Sequence, residues 1–228
     1  MRVELVASTH GEGKYAELNQ EEITSAIARH GIIKEDNGKL VKYLMTEKHW
    51  SPLDMVNFVF EVETSRAIGR QWLRHKLNPQ EHSQRYSDRV LFEDIELRLE
   101  HPTNRQSSTD VVGFVSQDGK SISTFSTPQI EELVYDIEAL IHETERIYKR
   151  GLELGIAKEC MRNILPECTT TTLTFNGTLR SWLSFLNVRM DHHSQKEIVI
   201  LAAMIGEALE KKMPNVFKTI NWRNGMFM

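Results

Sequence analysis

The clearest periodic element lies past the middle of the chain. Ile130, Leu133, Val134, Ile137, Leu140, Ile141, Ile147 and Tyr148 recur at helical spacing, which predicts a long amphipathic helix. Thr127 stands at the N-cap with Pro128 in the first helical position. Glu131 and Glu132 fill the first turn, and Lys149-Arg150-Gly151 marks the end. Earlier in the chain, Val3–Ser8 reads as a strand, Glu21–His30 as a helix stopped by Gly31, and Lys39–Lys48 as a helix after the Asn37-Gly38 turn. Val56–Thr64 is rich in β-branched and aromatic residues and predicts a strand, followed by helical character over Ser65–His75. Cys168–Phe175 is a second such strand. Leu179, Trp182, Leu183 and Leu186 then predict a helix to about Arg189. Ser194-x-x-Glu197 has the form of a capping box opening a last helix through Lys212, with Pro214 and an aromatic tail beyond. Strands and helices mix without regular βαβ alternation. The expected class is α+β, a mixed or antiparallel sheet packed with long helices in a single domain over residues 1–228.

Between His101 and Ser126 the composition turns polar, which reads as a long excursion holding one short strand at Val111–Val115. With 228 residues and 40% apolar content, the chain can bury about 70% of its unfolded surface. Charged residues at 26% exclude wholesale disorder. The formal charge of −4 argues against generic nucleic-acid coating and leaves room for a local basic pocket. Two cysteines make no disulfide framework, and the apolar run Ile198–Ile205 is far below the ~18 residues a membrane span needs. The start carries an acid inside its apolar stretch and no small-residue cleavage site, so no signal peptide is expected. These features point to a cytoplasmic protein.

Several local patterns favour plain structural roles. His10-Gly-Glu-Gly-Lys14 lacks P-loop spacing and reads as a surface turn. His192-His193 has no other His or Cys at ligand spacing, so no metal is expected; Cys160 and Cys168 read as buried thiols. Arg70 to Arg89 is different. Arg70, Arg74, Lys76, Arg85 and Arg89 are interleaved with Gln71, Asn78, Gln80, Ser83 and Gln84, and the only carboxylates within the segment are Glu81 and Asp88. Guanidinium in excess beside neutral hydrogen-bonding groups suits a nucleotide phosphate. On composition alone, that reading stands level with a solvated basic face. Asn78-Pro79 favours extended backbone, so Arg74–Tyr86 is expected to be a loop.

Arg74-His75-Lys76 followed by Gln80-Glu81-x-Ser83-x-Arg85-Tyr86 resembles the signature of the flavin-dependent thymidylate synthases, the ThyX family. His49-Trp-Ser-Pro52, the Asn104-Arg-Gln-Ser107 loop and Arg180-x-x-x-Ser184-Phe-Leu-x-x-Arg189-x-Asp191-x-x-Ser194-Gln195-x-Glu197-Ile198 extend the resemblance over about residues 45 to 205. Two departures stand out. The third basic residue of the signature is Lys76, and six rather than seven residues separate it from Ser83. Lysine keeps the charge and loses the planar fork, which weakens bidentate or stacking contacts to a flavin.

The resemblance implies a homotetramer that uses FAD, NADPH and methylenetetrahydrofolate to convert dUMP to dTMP; sites at subunit interfaces are expected from the spacing of Arg180 and Arg189. The resemblance places Gln71, Arg74, Glu81, Ser83, Gln84, Arg85, Arg162 and Arg189 at dUMP. Ser51, Arg74, His75, Lys76, Thr178, Arg180 and Ser184 fall at FAD, and His49 near the folate. Arg189 is the catalytic candidate, a cation at the pyrimidine edge that stabilises an ionised N3 so that C5 becomes electron-rich. This route needs no cysteine nucleophile, and Ser83 reads as a phosphate-binding hydroxyl. Arg180 and Arg189 are nine residues apart, so at about 100° per residue they lie on opposite sides of a continuous helix. They serve one ligand set only if the helix ends before Arg189 or if subunits share sites. Two other readings remain: a relative that modifies another deoxypyrimidine nucleotide, motivated by Lys76 and the shortened spacing, and a non-catalytic nucleotide- or RNA-binding protein.

Overall fold

The computed structural model describes the chain except for Asp36, Ser87, Arg89, Arg105, Gln106, Phe125, Ser126 and Met226. The sequence expectations that involve Arg89 and the Arg105-Gln106 part of the 104–107 loop lie outside the described residues. The elements in chain order are β1 (Arg2–Ser8), α1 (Gln20–Ala28), α2 (Lys39–Thr46), β2 (Asn57–Ser65), α3 (Arg66–Trp72), β3 (Asn78–Glu81), β4 (Ile95–Glu100), β5 (Ser108–Val115), β6 (Ile122–Ser123), α4 (Pro128–Glu153), α5 (Lys158–Met161), β7 (Thr170–Thr178), α6 (Leu179–Arg189), α7 (Lys196–Lys212) and α8 (Pro214–Phe217). The class is α+β, as the irregular alternation implied. No described helix is long and apolar enough to cross a membrane. The chain divides into two compact units, Arg2–Val62 with Gln71–Gln80 and Leu173–Met228, and Glu63–Arg70 with Glu81–Thr172 and Met1.

In the first unit the sheet order is β1-β2-β7-β3. Period-two alternation buries Phe58, Phe60 and Val62 of β2 and Leu173 and Phe175 of β7 on one face. Against that face lie Trp182, Phe185 and Leu186 of α6. Trp72, the last residue of α3, is stacked on Phe175 (4.9 Å, 17°) and on Phe185 (4.4 Å, 21°). Trp182 turns its edge to Phe60 and donates its indole N–H to the Phe58 carbonyl at 3.1 Å. This aromatic core clamps the C-terminus of α3 beside α6, which determines where Gln71, Arg74 and His75 emerge.

Two caps organise the rest of this unit. Asn19 and Glu22 form a reciprocal capping box on α1. Glu21, buried in α1, accepts hydrogen bonds from the Asn215 backbone N–H (2.6 Å), its side-chain amide (2.8 Å) and the Val216 N–H (3.0 Å) at the start of α8. The capping box expected at Ser194 does not form. Gln195 is the N-cap of α7 without a side-chain cap, and the Ser194 hydroxyl donates to the Val188 carbonyl instead. The Asn37-Gly38 turn is present, with φ of 49° and 74°.

In the second unit β4, β5 and β6 form an antiparallel sheet, with Ile95 opposite Val115 and Glu100 opposite Ser108. The polar excursion is thus partly sheet: β5 begins earlier than expected, and β4 had not been anticipated although Ile95, Leu97 and Leu99 alternate. Val134 and Ile141 of α4 pack with Val115, Phe92 and Cys168 under this sheet. Helix α4 has the Thr127 N-cap position and N-terminal Pro128 expected of it and runs two residues past Gly151, to Glu153. Cys168 is half-buried and burial pushes its thiol up, whereas Cys160 is exposed, contrary to the expectation of two buried thiols.

Candidate functional site

In the first unit, Arg189 closes α6 and faces the end of α3. Its Nε donates to Nε2 of His75 at 2.8 Å, its Nη2 to the Gln71 carbonyl at 2.9 Å, and its Nη1 reaches the Gln71 side-chain oxygen at 3.5 Å. The Gln71 amide nitrogen in turn donates to Gln195 at 2.7 Å. Because Nε2 of His75 accepts, that ring is neutral and carries its proton on Nδ1. Burial, then the charge of Arg189, lowers its pKa from 6.5 to about 4. Burial, then the charge of Arg74, also lowers Arg189, which nonetheless stays a cation at neutral pH. Three of its five N–H groups are engaged, so two are left for a ligand. Among the described residues, Arg74 and Lys76 have no carboxylate partner.

A second group lies at the start of α6. Thr178 caps that helix by accepting from the Ser181 N–H at 3.2 Å, and its hydroxyl donates to Asp54 at 3.0 Å. The other Asp54 oxygen holds Arg180 at 3.1 Å. Ser51 opens the short 3-10 turn that carries Asp54. The α6 helix is continuous through Arg189, so its ending early cannot bring Arg180 and Arg189 to one ligand. Exposed Ser184 and exposed His49, which stands edge-on to Tyr43, join neither group among the described residues.

In the second unit a cleft of about 190 Å³ is lined by Arg66, Glu81, His82, Ser83, Gln84 and Arg162. Four of these were singled out in sequence; Arg66 and His82 were not. The segment Arg74–Tyr86 is not wholly loop, because Pro79 sits in the exposed strand β3, where a missing N–H is tolerated. Thr171 donates to the Glu81 carboxylate at 2.6 Å, and the His82 N–H donates to the Thr172 carbonyl at 2.9 Å. Arg66, whose N–H is bonded to the Thr169 carbonyl, donates its Nη1 to the Gln84 side-chain oxygen at 2.9 Å. Arginine is donor-only, so this bond fixes the polarity of the Gln84 amide and leaves its NH₂ free to donate. Ser83 accepts from the Arg85 N–H at 3.3 Å. No base is hydrogen-bonded to its hydroxyl among the described residues.

The cations are better neutralised than the local sequence suggested. Glu167 pairs with Arg70 at 3.0 Å and Glu159 with Arg85 at 3.4 Å, both from far along the chain. Arg66 and Arg162 retain no carboxylate partner among the described residues. Asp191, His192 and His193 bring three potential ligand atoms within 4.8 Å of one another, a grouping missed by counting only His and Cys.

The family model described as thymidylate synthase complementing protein, Thy1, matches residues 4–215. The chain belongs to this family. Among the relatives of this Thy1 protein, a flavin-dependent thymidylate synthase of Synechocystis sp. is 34% identical over 209 residues, covering 90% of this chain and 91% of that protein. A probable flavin-dependent thymidylate synthase of Paramecium bursaria Chlorella virus 1 is 35% identical over 185 residues, 80% of each chain. A flavin-dependent thymidylate synthase of Dictyostelium discoideum is 33% identical over 171 residues, 73% of this chain and 52% of its own.

Proposed function

We propose that this Thy1 member is a flavin-dependent thymidylate synthase, a cytoplasmic methyltransferase that converts dUMP to dTMP with methylenetetrahydrofolate and NADPH. The observation that carries the reading is the Arg189–His75–Gln71 cluster in a chain matched by the family over residues 4–215. That match runs through both compact units, which supports treating them as one functional domain.

The residues fit the groups this chemistry requires. The Arg66–Arg162 cleft, with donors on Gln84 and Ser83, suits the nucleotide phosphate. Glu81, held by Thr171, supplies an acceptor for a sugar O–H or a base N–H. Arg74 and Lys76, cations without carboxylate partners among the described residues, suit the diphosphate of FAD, with Thr178, Arg180, Ser51 and Ser184 as further contacts and His49 near the folate. FAD, when bound, supplies hydride chemistry. Arg189 directs two N–H groups at a pyrimidine edge and stabilises charge on N3, while neutral His75 and the Gln71 carbonyl hold its plane. Arg180 and Arg189 point to different neighbours on one continuous helix, which supports sites shared between subunits of a homotetramer.

The test is the visible spectrum of the purified protein, followed by NADPH oxidation with and without dUMP and product analysis. Bound flavin, dUMP-dependent oxidation and dTMP as product are expected. A protein that takes up no FAD would overturn the reading. Efficient turnover of dCMP in place of dUMP would favour the second deoxypyrimidine reading, for which Lys76 is the supporting observation.

A further inference from the structure

The turn between α6 and α7 brings together three metal-ligating side chains that the proposed chemistry does not use. In Asp191, His192 and His193 a carboxylate oxygen and one nitrogen of each ring all lie within 4.8 Å of one another. The two rings sit side by side, with centroids 3.8 Å apart. Both turn Nδ1 inward: that of His193 is 2.7 Å from Asp191 Oδ1, and that of His192 is 3.5 Å from Asp191 Oδ2. The donor atoms therefore converge instead of splaying into solvent.

Hydrogen bonding satisfies only half of this group. Oδ1 accepts from the His193 backbone N–H at 2.9 Å and meets the His193 ring. Oδ2 and the His192 ring make no hydrogen bond among the described residues, so a carboxylate oxygen and an imidazole nitrogen face each other without a partner. The Asp191 side chain is only 15% exposed, and no Lys or Arg pairs with it among the described residues. Hydrogen bonds from the His193 backbone and ring hold its carboxyl below the usual range, in the ionised form that a metal ligand requires. The backbone fixes the group as well: the Ser194 N–H donates to the Asp191 carbonyl at 2.9 Å and the Ser194 hydroxyl to the Val188 carbonyl at 3.0 Å. His192 and His193 are 81% and 58% exposed, which leaves an ion a way in and a coordination position for water.

The donor set selects the ion. Two imidazoles and one carboxylate suit Zn²⁺ and its first-row neighbours, whereas Mg²⁺ and Ca²⁺ take oxygen shells. By themselves the two histidines carry no metal reading; Asp191 supplies the third ligand. We propose that Asp191, His192 and His193 form a binding site for one Zn²⁺-class ion that pins the turn between α6 and α7. The same turn carries Gln195, which accepts from the Gln71 amide, so the ion stands on the segment that holds a partner of Arg189. The site rests on none of the flavin chemistry.

Equilibrium dialysis of the full-length, chelator-treated protein against Zn²⁺, with Mg²⁺ in excess, tests the site. One tightest-bound zinc per chain is expected. His192→Gln, His193→Gln and Asp191→Asn should each weaken it by about tenfold or more, since each removes one of three ligands. His142→Gln serves as the control, because that exposed ring has only Glu138 beside it, at 3.8 Å; zinc affinity should be unchanged. The His192 ring makes no hydrogen bond among the described residues, so His192→Gln should keep its far-UV circular dichroism. Zn²⁺ should raise the melting temperature of the wild type and not that of His192→Gln. No zinc uptake, zinc displaced by Mg²⁺, zinc retained at full affinity by the His192 and His193 variants, or an equal loss in His142→Gln would overturn the site. Flavin absorbance of the same samples is read separately: a flavoprotein without zinc overturns the site alone, and a zinc-binding protein that takes up no FAD overturns the function alone.

Discussion

Arg189 Nε lies 2.8 Å from Nε2 of His75, a hydrogen bond between residues 114 apart in sequence. It makes the imidazole an acceptor and fixes the plane of the guanidinium. Arg189→Lys keeps the charge and loses the fork, so it should lower kcat/KM for the nucleotide by about 10²–10³-fold. His75→Ala should leave Arg189 charged and less well aimed, with a smaller loss. Steady-state kinetics of the two variants separate charge from orientation; equal effects would contradict the assigned geometry.

Stability should depend on pH through His75. Between 6.5, its ordinary value, and about 4, the unfolded chain binds a proton that the folded chain excludes. Folding free energy should therefore fall as pH drops through that window and be unaffected by this residue above it. Denaturant unfolding at several pH values checks this, and His75→Gln should flatten the slope between pH 6.5 and 4.

The Arg66–Gln84 bond fixes an amide polarity. Gln84→Glu replaces the free NH₂ with a carboxylate oxygen while strengthening the pair with Arg66. Repulsion of a phosphate should raise the Kd of a nucleoside monophosphate at least tenfold, about 1.4 kcal/mol, with thermal stability maintained or increased. Isothermal titration with dUMP reads the first quantity and a thermal melt the second.

Lys76 stands in the signature as a point charge. Lys76→Arg should tighten FAD binding by restoring a planar, stackable group, measured as quenching of flavin fluorescence. Unchanged or weaker binding would show that the shortened spacing to Ser83 has moved residue 76 away from the cofactor.

Glu21 ties two distant parts of one unit. Its carboxylate accepts three hydrogen bonds from Asn215 and Val216, so Glu21→Ala should cost about 1–3 kcal/mol by orphaning buried donors. Urea unfolding of the variant measures it. Flavin chemistry, which depends on other residues, should survive at low temperature.

Much of this protein is local in origin and therefore legible in its sequence. The Thr127–Pro128 start of α4, the Asn37-Gly38 turn and the alternation in β2 follow from backbone preferences and side-chain period, which act over a few residues. Motif chemistry was legible too, since Arg74, Ser83, Gln84 and Arg189 declare donor types and charge. Other features needed the tertiary structure because they arise from residues far apart in the chain. Ser194 forms a capping box on paper, yet its hydroxyl is taken by the Val188 carbonyl. Arg70 and Arg85 look unpaired in their own segment until Glu167 and Glu159 fold against them. Arg66 joined the cleft only when α3 carried its guanidinium to Gln84. Sequence alone determined which groups are present and which helices and strands they ride on. The packing of Trp72 between Phe175 and Phe185 decided which of those groups meet, because contact energies between distant residues have no signature in the local pattern.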